Sequence, residues 1–267
     1  MAMVTAWRTV PESSWPDYTE PLRLPDGEVH VWLASLDQPD SVLGILRQSL
    51  TATEQARVDR YVRAVSRQQA TVSRGVLRHL LSAYTGIPAG QVRLGEGPHQ
   101  KPLLCDGQAA VPLMFNVSHS GARLLIAVIC HREIGVDIES FSRFTDMAGV
   151  AKRSFSRREF AIWAAADPAD QAAVFFHFWS HKESVIKACG RGLLVPLDSF
   201  ETPAEPSDHP TPVYLSVPDS DETNWFVRVL DPCPGYAAAV CMAGAALPVT
   251  MYQVTASFFE RPPRAFV

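Results

Sequence analysis

Two stretches constrain this chain more than any others. Residues 124–140 run Leu-Leu-Ile-Ala-Val-Ile-Cys-His-Arg-Glu-Ile-Gly-Val-Asp-Ile-Glu-Ser, an apolar segment followed by one whose side chains alternate in character. On an extended strand successive side chains point to opposite faces, so Asp137 and Glu139 share one face and Ile138 takes the other. Further on comes Phe175-Phe176-His177-Phe178-Trp179-Ser180-His181-Lys182-Glu183-Ser184-Val185-Ile186-Lys187-Ala188. Its apolar residues at 175, 178, 179, 185 and 186 fit a buried helical stripe, with Glu183 and Lys187 one turn apart. Three carboxylates that can converge make a hard-oxygen site for Mg2+, which takes one or two carboxylates plus waters and substrate phosphates. The pattern therefore asks for a phosphorylated substrate.

The chain has 267 residues, enough for one large domain or two of ordinary size with a substantial core. Its hydrophobic content of 47% and net charge of -4 describe a soluble globular protein, and the acidic balance argues against wholesale nucleic-acid binding. No apolar run is long enough to span a membrane, and residues 1–10 carry no apolar core of a secretory signal, so a cytoplasmic protein is expected. The five cysteines, at 105, 130, 189, 233 and 241, form no CxxC pair and read as packing residues.

Residues 1–28, with Pro11, Pro16, Pro21 and Pro25, read as an irregular arm. Val29 to Leu33 alternates like a strand, a helix follows through Val42, Ile45, Leu46 and Leu50, and Thr51 or Thr53 is placed to cap the next one. The following helix, with Val72, Val76, Leu77, Leu80 and Leu81, ends near Gly86. From Arg57 to Arg78 there are six arginines against the single acid Asp59, either a solvated cationic face or an anchor for phosphate. A short strand is expected over 92–94, then a hairpin pairing 115–117 with 124–129 around a turn at 118–122. One helix is expected over 146–160 and a second from Asp170 to about Cys189, closed by Gly190. Strands are expected at 199–202, 213–217, 225–230 and 236–242, with a closing strand beyond Pro248.

Rival chemistries have specific weaknesses. Gly95-Glu96-Gly97 lacks the third glycine of a dinucleotide loop, and Ser118 beside His119 is not part of a GxSxG elbow. His177 and His181 have zinc-ligand spacing but lack the glutamate after the first histidine that a metalloprotease helix needs.

Four motifs in order, Asn116-Val117-Ser118-His119-Ser120-Gly121, Gly135-Val136-Asp137-Ile138-Glu139, Trp179 to Ala188 and Gly190-Arg191-Gly192, resemble the signature of the 4'-phosphopantetheinyl transferases. The likeness is to the larger, surfactin-synthetase type. It implies an α+β fold of two pseudo-twofold-related subdomains, each a small mostly antiparallel sheet packed on a long helix. The expected division is an arm over 1–28, an N-terminal subdomain over 29–132 that binds the CoA phosphates, and a C-terminal subdomain over 133–267 with metal and catalytic helix. Asp137 and Glu139 would then lie just past the junction, where ligand sites are common.

The resemblance also implies an activity: Mg2+-dependent transfer of 4'-phosphopantetheine from coenzyme A to a serine of an acyl or peptidyl carrier protein. Metal ligands would be Asp137, Glu139 and Glu183, with Asp137, Glu183 and Lys187 catalytic. CoA would be held by Arg57, Arg74, Lys101, Pro102, Ser118, His119, Lys182 and Lys187. Gln100 stands where the family has glycine before Lys101-Pro102, a departure that bears on backbone approach to the adenine. A monomer serving nonribosomal peptide or polyketide synthesis is expected; the contrasting readings are a silent CoA-binding scaffold and a metal phosphohydrolase of CoA.

Overall fold

The computed structural model describes residues 15–16, 22–97, 101–142, 146–215 and 224–260. Most of the expected N-terminal arm, Gln100, and the end of the strand expected at 213–217 lie outside these residues. The first half opens with β1 (Val29–Ser35), α1 (Asp40–Ser49), α2 (Ala52–Asp59) and α3 (Ala64–Thr85). Thr51 is the cap of α2: its hydroxyl accepts the Glu54 N–H at 3.3 Å, and the Glu54 carboxylate accepts the Thr51 N–H at 2.8 Å. This reciprocal pair satisfies amides that a helix start leaves without partners. α3 stops at Gly86, whose φ of 71° is left-handed, a conformation glycine adopts without steric cost.

The hairpin β2 (Leu94–Glu96) and β3 (Pro102–Leu104) begins two residues later than the alternation suggests. β4 (Leu113–Ser120) and β5 (Arg123–Cys130) are longer than expected, so Ser118, His119 and Ser120 belong to a strand and the turn shrinks to Gly121-Ala122. Beyond the junction come β6 (Ile134–Ser140), α4 (Met147–Ser154), α5 (Arg157–Ala164) and α6 (Gln171–Cys189). The single helix expected over 146–160 is thus two. Ser156 interrupts it, its hydroxyl accepting the Glu159 N–H at 3.2 Å and starting a new helix. The segment expected as a strand at 199–202 is irregular beyond a 3-10 turn at Leu197–Ser199. Strands β7 (Thr211–Tyr214), β8 (Asn224–Leu230), β9 (Tyr236–Ala243) and β10 (Val249–Val254) and the short helix α7 (Ala256–Glu260) complete the order.

Two four-stranded sheets result, β10-β1-β5-β4 and β6-β9-β8-β7, antiparallel except for the β1–β10 pair. β10 runs parallel to β1, so the C-terminal strand, expected in the second half, instead closes the first half's sheet. Each sheet has one long helix, α3 or α6, on its outer side. Trp32, Leu124, Ile126 and Val128 pack with Val72, Val76 and Leu80 of α3. The opposite faces of the same strands, Val31, Leu33, Leu125 and Ala127, meet Val136, Ile138, Ala238 and Val240 of the second sheet. β5 is covered on both faces, which explains its unbroken apolar run. Val136 and Ile138, both fully buried, contribute about 1.5–3 kcal/mol each by leaving water. On the far side of the second sheet Val185 and Ala188 of α6 pack with Val227, Ala239 and Cys241. All five cysteines are free thiols, and Cys130 and Cys241 are buried in these cores. Among the described residues no helix is long and apolar enough to cross a membrane.

Two core histidines set an acid limit on stability. Burial lowers the pKa of both His79 and His177 to about 4, only slightly offset at His177 by its bond to the Pro203 carbonyl. Between pH 6.5 and about 4 the unfolded chain therefore binds more protons than the folded one. Stability is fully present above pH 6.5 and falls with pH across that window, by up to about 1.4 kcal/mol per pH unit for each group. Guanidinium midpoints measured at pH 7, 6 and 5 should decline, and a His79→Phe variant should decline less steeply than the parent.

Candidate active site

The site begins with the alternation of β6. Ile134, Val136 and Ile138 enter the core between the sheets, and Gly135, Asp137 and Glu139 face α6. Gly135 lets the helix lie directly on the strand. A Cβ at this position would stand 2.1 Å from the Ser184 carbonyl oxygen and 2.3 Å from the Ala188 nitrogen, distances that only glycine avoids. α6 is thereby held close enough for its side chains to meet the two carboxylates.

Trp179, Glu183 and Lys187 follow one another at i, i+4 and i+8 on one face of α6. Trp179 Nε1 donates to Glu139 Oε1 at 3.1 Å, and Lys187 Nζ donates to Asp137 Oδ1 at 2.6 Å. Half-buried Glu183 is carried between these two levels, one turn from each. From the other sheet, Ser118 Oγ donates to Asp137 Oδ1 and Ser120 Oγ to Glu139 Oε2, both at 2.9 Å. Both carboxylates are almost fully buried, and Asp137 Oδ2 is a buried oxygen with no hydrogen bond on it.

Among the described residues no three His, Cys, Asp or Glu side chains cluster closely enough to hold a metal ion by themselves. The three-carboxylate cluster expected from spacing is thus not closed by protein groups alone; an ammonium, two hydroxyls and an indole take up the carboxylate oxygens instead. The residues do fit a Mg2+ ion that keeps several waters, because such an ion needs only one or two carboxylates and Asp137 Oδ2 is a hard oxygen left unpaired.

A cleft of about 430 Å³ lies on the other face of β4, lined by Arg57, Tyr61, Arg74, Pro102 and His119 among others. A second, of about 310 Å³, shares Gln69 and His119 with it and reaches Ser120, Ser140 and Ser142. Alternation along β4 sets the larger cleft apart: Val117 and His119 line it, and Asn116, Ser118 and Ser120 are buried against β6, with Ser120 at the strand end also bordering the smaller cleft. In the larger cleft Arg57 is exposed and 3.9 Å from Glu96, and Arg74 is paired through Nε with Glu54. Burial raises the Glu54 pKa, but bonds from Arg78, the Thr51 amide and Arg74 outweigh it and hold the carboxyl below its ordinary value.

Of the expected CoA-binding residues, Arg57, Arg74, Pro102 and His119 meet in this cleft, and Ser118 and Lys187 join Asp137. Two are turned elsewhere. The fully buried Lys182 Nζ lies 2.8 Å from Glu159 Oε2 and donates to the Leu197 and Phe200 carbonyls at 2.6 and 2.7 Å. One position before Glu183, it projects about 100° around the helix, away from the carboxylates and into the α5 side. Lys101 donates to Glu133 at 2.6 Å and to the Ile134 and Ala188 carbonyls at 3.2 and 3.4 Å, so its ammonium ties the β3 start to the end of α6. For the zinc alternative the pair has no third ligand: among the described residues no group of three His, Cys, Asp or Glu could hold a metal. His177 Nε2 and His181 Nδ1 each donate to a carbonyl, at 2.8 and 2.6 Å, and burial lowers both pKa values. Trp179, Asn116 and Ser120 stand within the motifs quoted above but were given no role there, and the structure brings all three onto β6; the i, i+4 spacing of Trp179 from Glu183 and the period-2 spacing of Asn116, Ser118 and Ser120 were the available signals.

A family model for the 4'-phosphopantetheinyl transferase superfamily matches residues 133–241, and one for the N-terminal part of 4'-phosphopantetheinyl transferases matches residues 36–131. The chain is 34% identical over 235 residues to the 4'-phosphopantetheinyl transferase HetI of a Nostoc species, covering 87% of this chain and 95% of that protein. It is also 34% identical over 168 residues to the 4'-phosphopantetheinyl transferase Sfp of Bacillus subtilis, covering 63% and 70% respectively. With the human L-aminoadipate-semialdehyde dehydrogenase-phosphopantetheinyl transferase it shares 29% identity over 167 residues, covering 60% of this chain and 54% of that one.

The buried Lys182–Glu159 pair gives a sharp expectation. Lys182→Met leaves the Glu159 carboxylate buried without its cation, which costs about 3–5 kcal/mol. Equilibrium denaturation should register that loss, and the folded fraction should keep its affinity for CoA; a selective loss of CoA affinity at unchanged stability would restore Lys182 to the substrate site.

Proposed function

The chain belongs to the 4'-phosphopantetheinyl transferases, enzymes that load carrier proteins, and from that premise we propose that it transfers the 4'-phosphopantetheine arm of coenzyme A to a serine hydroxyl of an acyl or peptidyl carrier protein. The products are the holo-carrier protein and adenosine 3',5'-bisphosphate. One observation carries the reading. β4 separates an arginine-lined cleft from a buried carboxylate–ammonium cluster, and Ser120 belongs to both the smaller cleft and the Glu139 contact. A ligand with phosphates at one end and a reacting pyrophosphate at the other fits such a division.

Arg57, Arg74 and His119 hold the nucleotide phosphates of CoA in the cleft, where guanidinium forks suit phosphate geometry. Asp137 and Glu139, with Glu183 from α6, would hold Mg2+, which when bound supplies charge neutralisation on the pyrophosphate. The carrier serine oxygen attacks the β-phosphorus, and the bond to the oxygen that leaves with adenosine bisphosphate breaks. Lys187 is placed beside Asp137 to meet the charge that develops on that leaving group. Glu183 takes the serine proton, directly or through a water. With both halves in one chain, a monomer is sufficient to form the site. Acyl or peptidyl carriers of nonribosomal peptide or polyketide synthases in the cytoplasm are the proposed partners.

Intact mass of purified apo carrier proteins, incubated with the protein, CoA and Mg2+, tests this. The carrier should gain one phosphopantetheine, with no gain in EDTA, with a carrier whose serine is alanine, or with Asp137→Ala. Release of phosphopantetheine from CoA without any carrier would indicate a phosphohydrolase, and CoA binding with no transfer to any carrier a scaffold. Arg74→Ala should weaken CoA by about tenfold, the worth of one charge-assisted hydrogen bond, and 3'-dephospho-CoA much less. Equal losses would remove Arg74 from the 3'-phosphate.

A further inference from the structure

A cleft built for phosphates has no obvious use for a carboxylate, yet Glu54 lines the larger cleft beside Arg57 and Arg74. Its two oxygens are divided between different tasks. Oε2 accepts the Thr51 N–H at 2.8 Å, the Thr51 hydroxyl at 3.1 Å and the Nε–H of Arg78 at 2.8 Å. Arg78 is buried and gives Nη1 to the Ala89 and Val92 carbonyls at 2.7 and 3.0 Å, so this half of the carboxylate is tied to the core. Oε1 accepts the Nε–H of Arg74, which is half-buried in the cleft wall.

A guanidinium presents its N–H donors in a rigid planar fork. With Nε spent on Glu54, the plane of the Arg74 fork is fixed and the terminal nitrogens remain for a second anion. A side chain not held in this way must be ordered by the ligand itself, at a cost to affinity. Glu54 is held in turn by Arg78 and by the cap of α2, so the direction of Arg74 is set from the core outward. We propose that Glu54 is a positioning residue of the CoA phosphate site: it aims Arg74 at the 3'-phosphate and thereby sets the preference for CoA over 3'-dephospho-CoA. This deepens the transferase reading above and rests on its placement of Arg74. A Glu54 acting through its charge alone would have the opposite effect, because a negative wall repels most the ligand that carries the extra phosphate.

The test is the preference for CoA over 3'-dephospho-CoA, taken as the ratio of their dissociation constants by titration calorimetry, in the parent and in Glu54→Gln. Glutamine keeps one carbonyl oxygen for Thr51 and Arg78 and sets an amide NH2 against the Arg74 Nε–H, donor facing donor. The preference should fall about three- to tenfold, the cost of ordering one freed side chain. In an Arg74→Ala background Glu54→Gln should lower it no further. A preference that holds or rises in Glu54→Gln, or that falls equally when Arg74 is absent, overturns the proposal. Should Glu54→Gln fail to fold, Arg74→Lys tests the same aim, since lysine keeps the charge but has no Nε–H and no fork. Its preference should fall as well, and a preference equal to the parent's overturns the proposal. Loss of preference in Arg74→Ala but not in Glu54→Gln removes Glu54 alone, and no loss in Arg74→Ala removes both from the 3'-phosphate. If the Glu54 effect is found and no carrier protein is loaded, Glu54 keeps its role in CoA binding and the transferase reading fails.

Discussion

The rest of the site depends on backbone contact between α6 and β6 at Gly135. Strand and helix approach so closely that any Cβ would collide with the Ser184 carbonyl and the Ala188 amide. That approach puts Lys187 within 2.6 Å of Asp137 and the Trp179 indole within 3.1 Å of Glu139. Interiors are packed to crystal density, so a displacement at 135 would be transmitted along the helix rather than absorbed. Glycine here is a requirement of packing, and the chemistry two and four residues further on inherits it.

Buried polar groups fix α6 from its other sides as well. Lys182 is bonded to Glu159 and to the carbonyls of Leu197 and Phe200, and Glu159 in turn accepts the Thr202 amide and hydroxyl at 2.9 Å each. Lys101 reaches the Ala188 carbonyl near the helix end. A cation at the C-terminal end of a helix is favourably placed against its dipole and its unpaired carbonyls. The helix is thus gripped by α5 and the 197–202 segment on one side and by β6 on the other, which explains why it is apolar on so much of its circumference.

Some of this was legible in advance because it follows from local geometry. Period 2 placed Asp137 and Glu139 on one face, glycine at 86 and 190 marked helix ends, and Glu183 and Lys187 fell on one helix face. Where Lys182 and Lys101 set their ammoniums was not legible, because a lysine's long stem lets its charge reach whichever anion or carbonyl the fold brings near. The helix break at Ser156 had its capping-box letters, Ser156 and Glu159, in plain view.

By itself the sequence determined the α+β class, the order of the main elements, the face on which the β6 carboxylates stand and the transferase family, because these rest on short-range periodicity and on contiguous motifs. Tertiary structure alone decided which sheet β10 would close, which arginines would share a cleft with His119, and where the ammoniums of Lys101 and Lys182 would settle. It also decided that the hydroxyls of Ser118 and Ser120 serve the carboxylates of the opposite sheet. These depend on the docking of two halves distant along the chain, and a hydrogen bond is directional over about 3 Å, a precision that side-chain spacing along one strand does not specify.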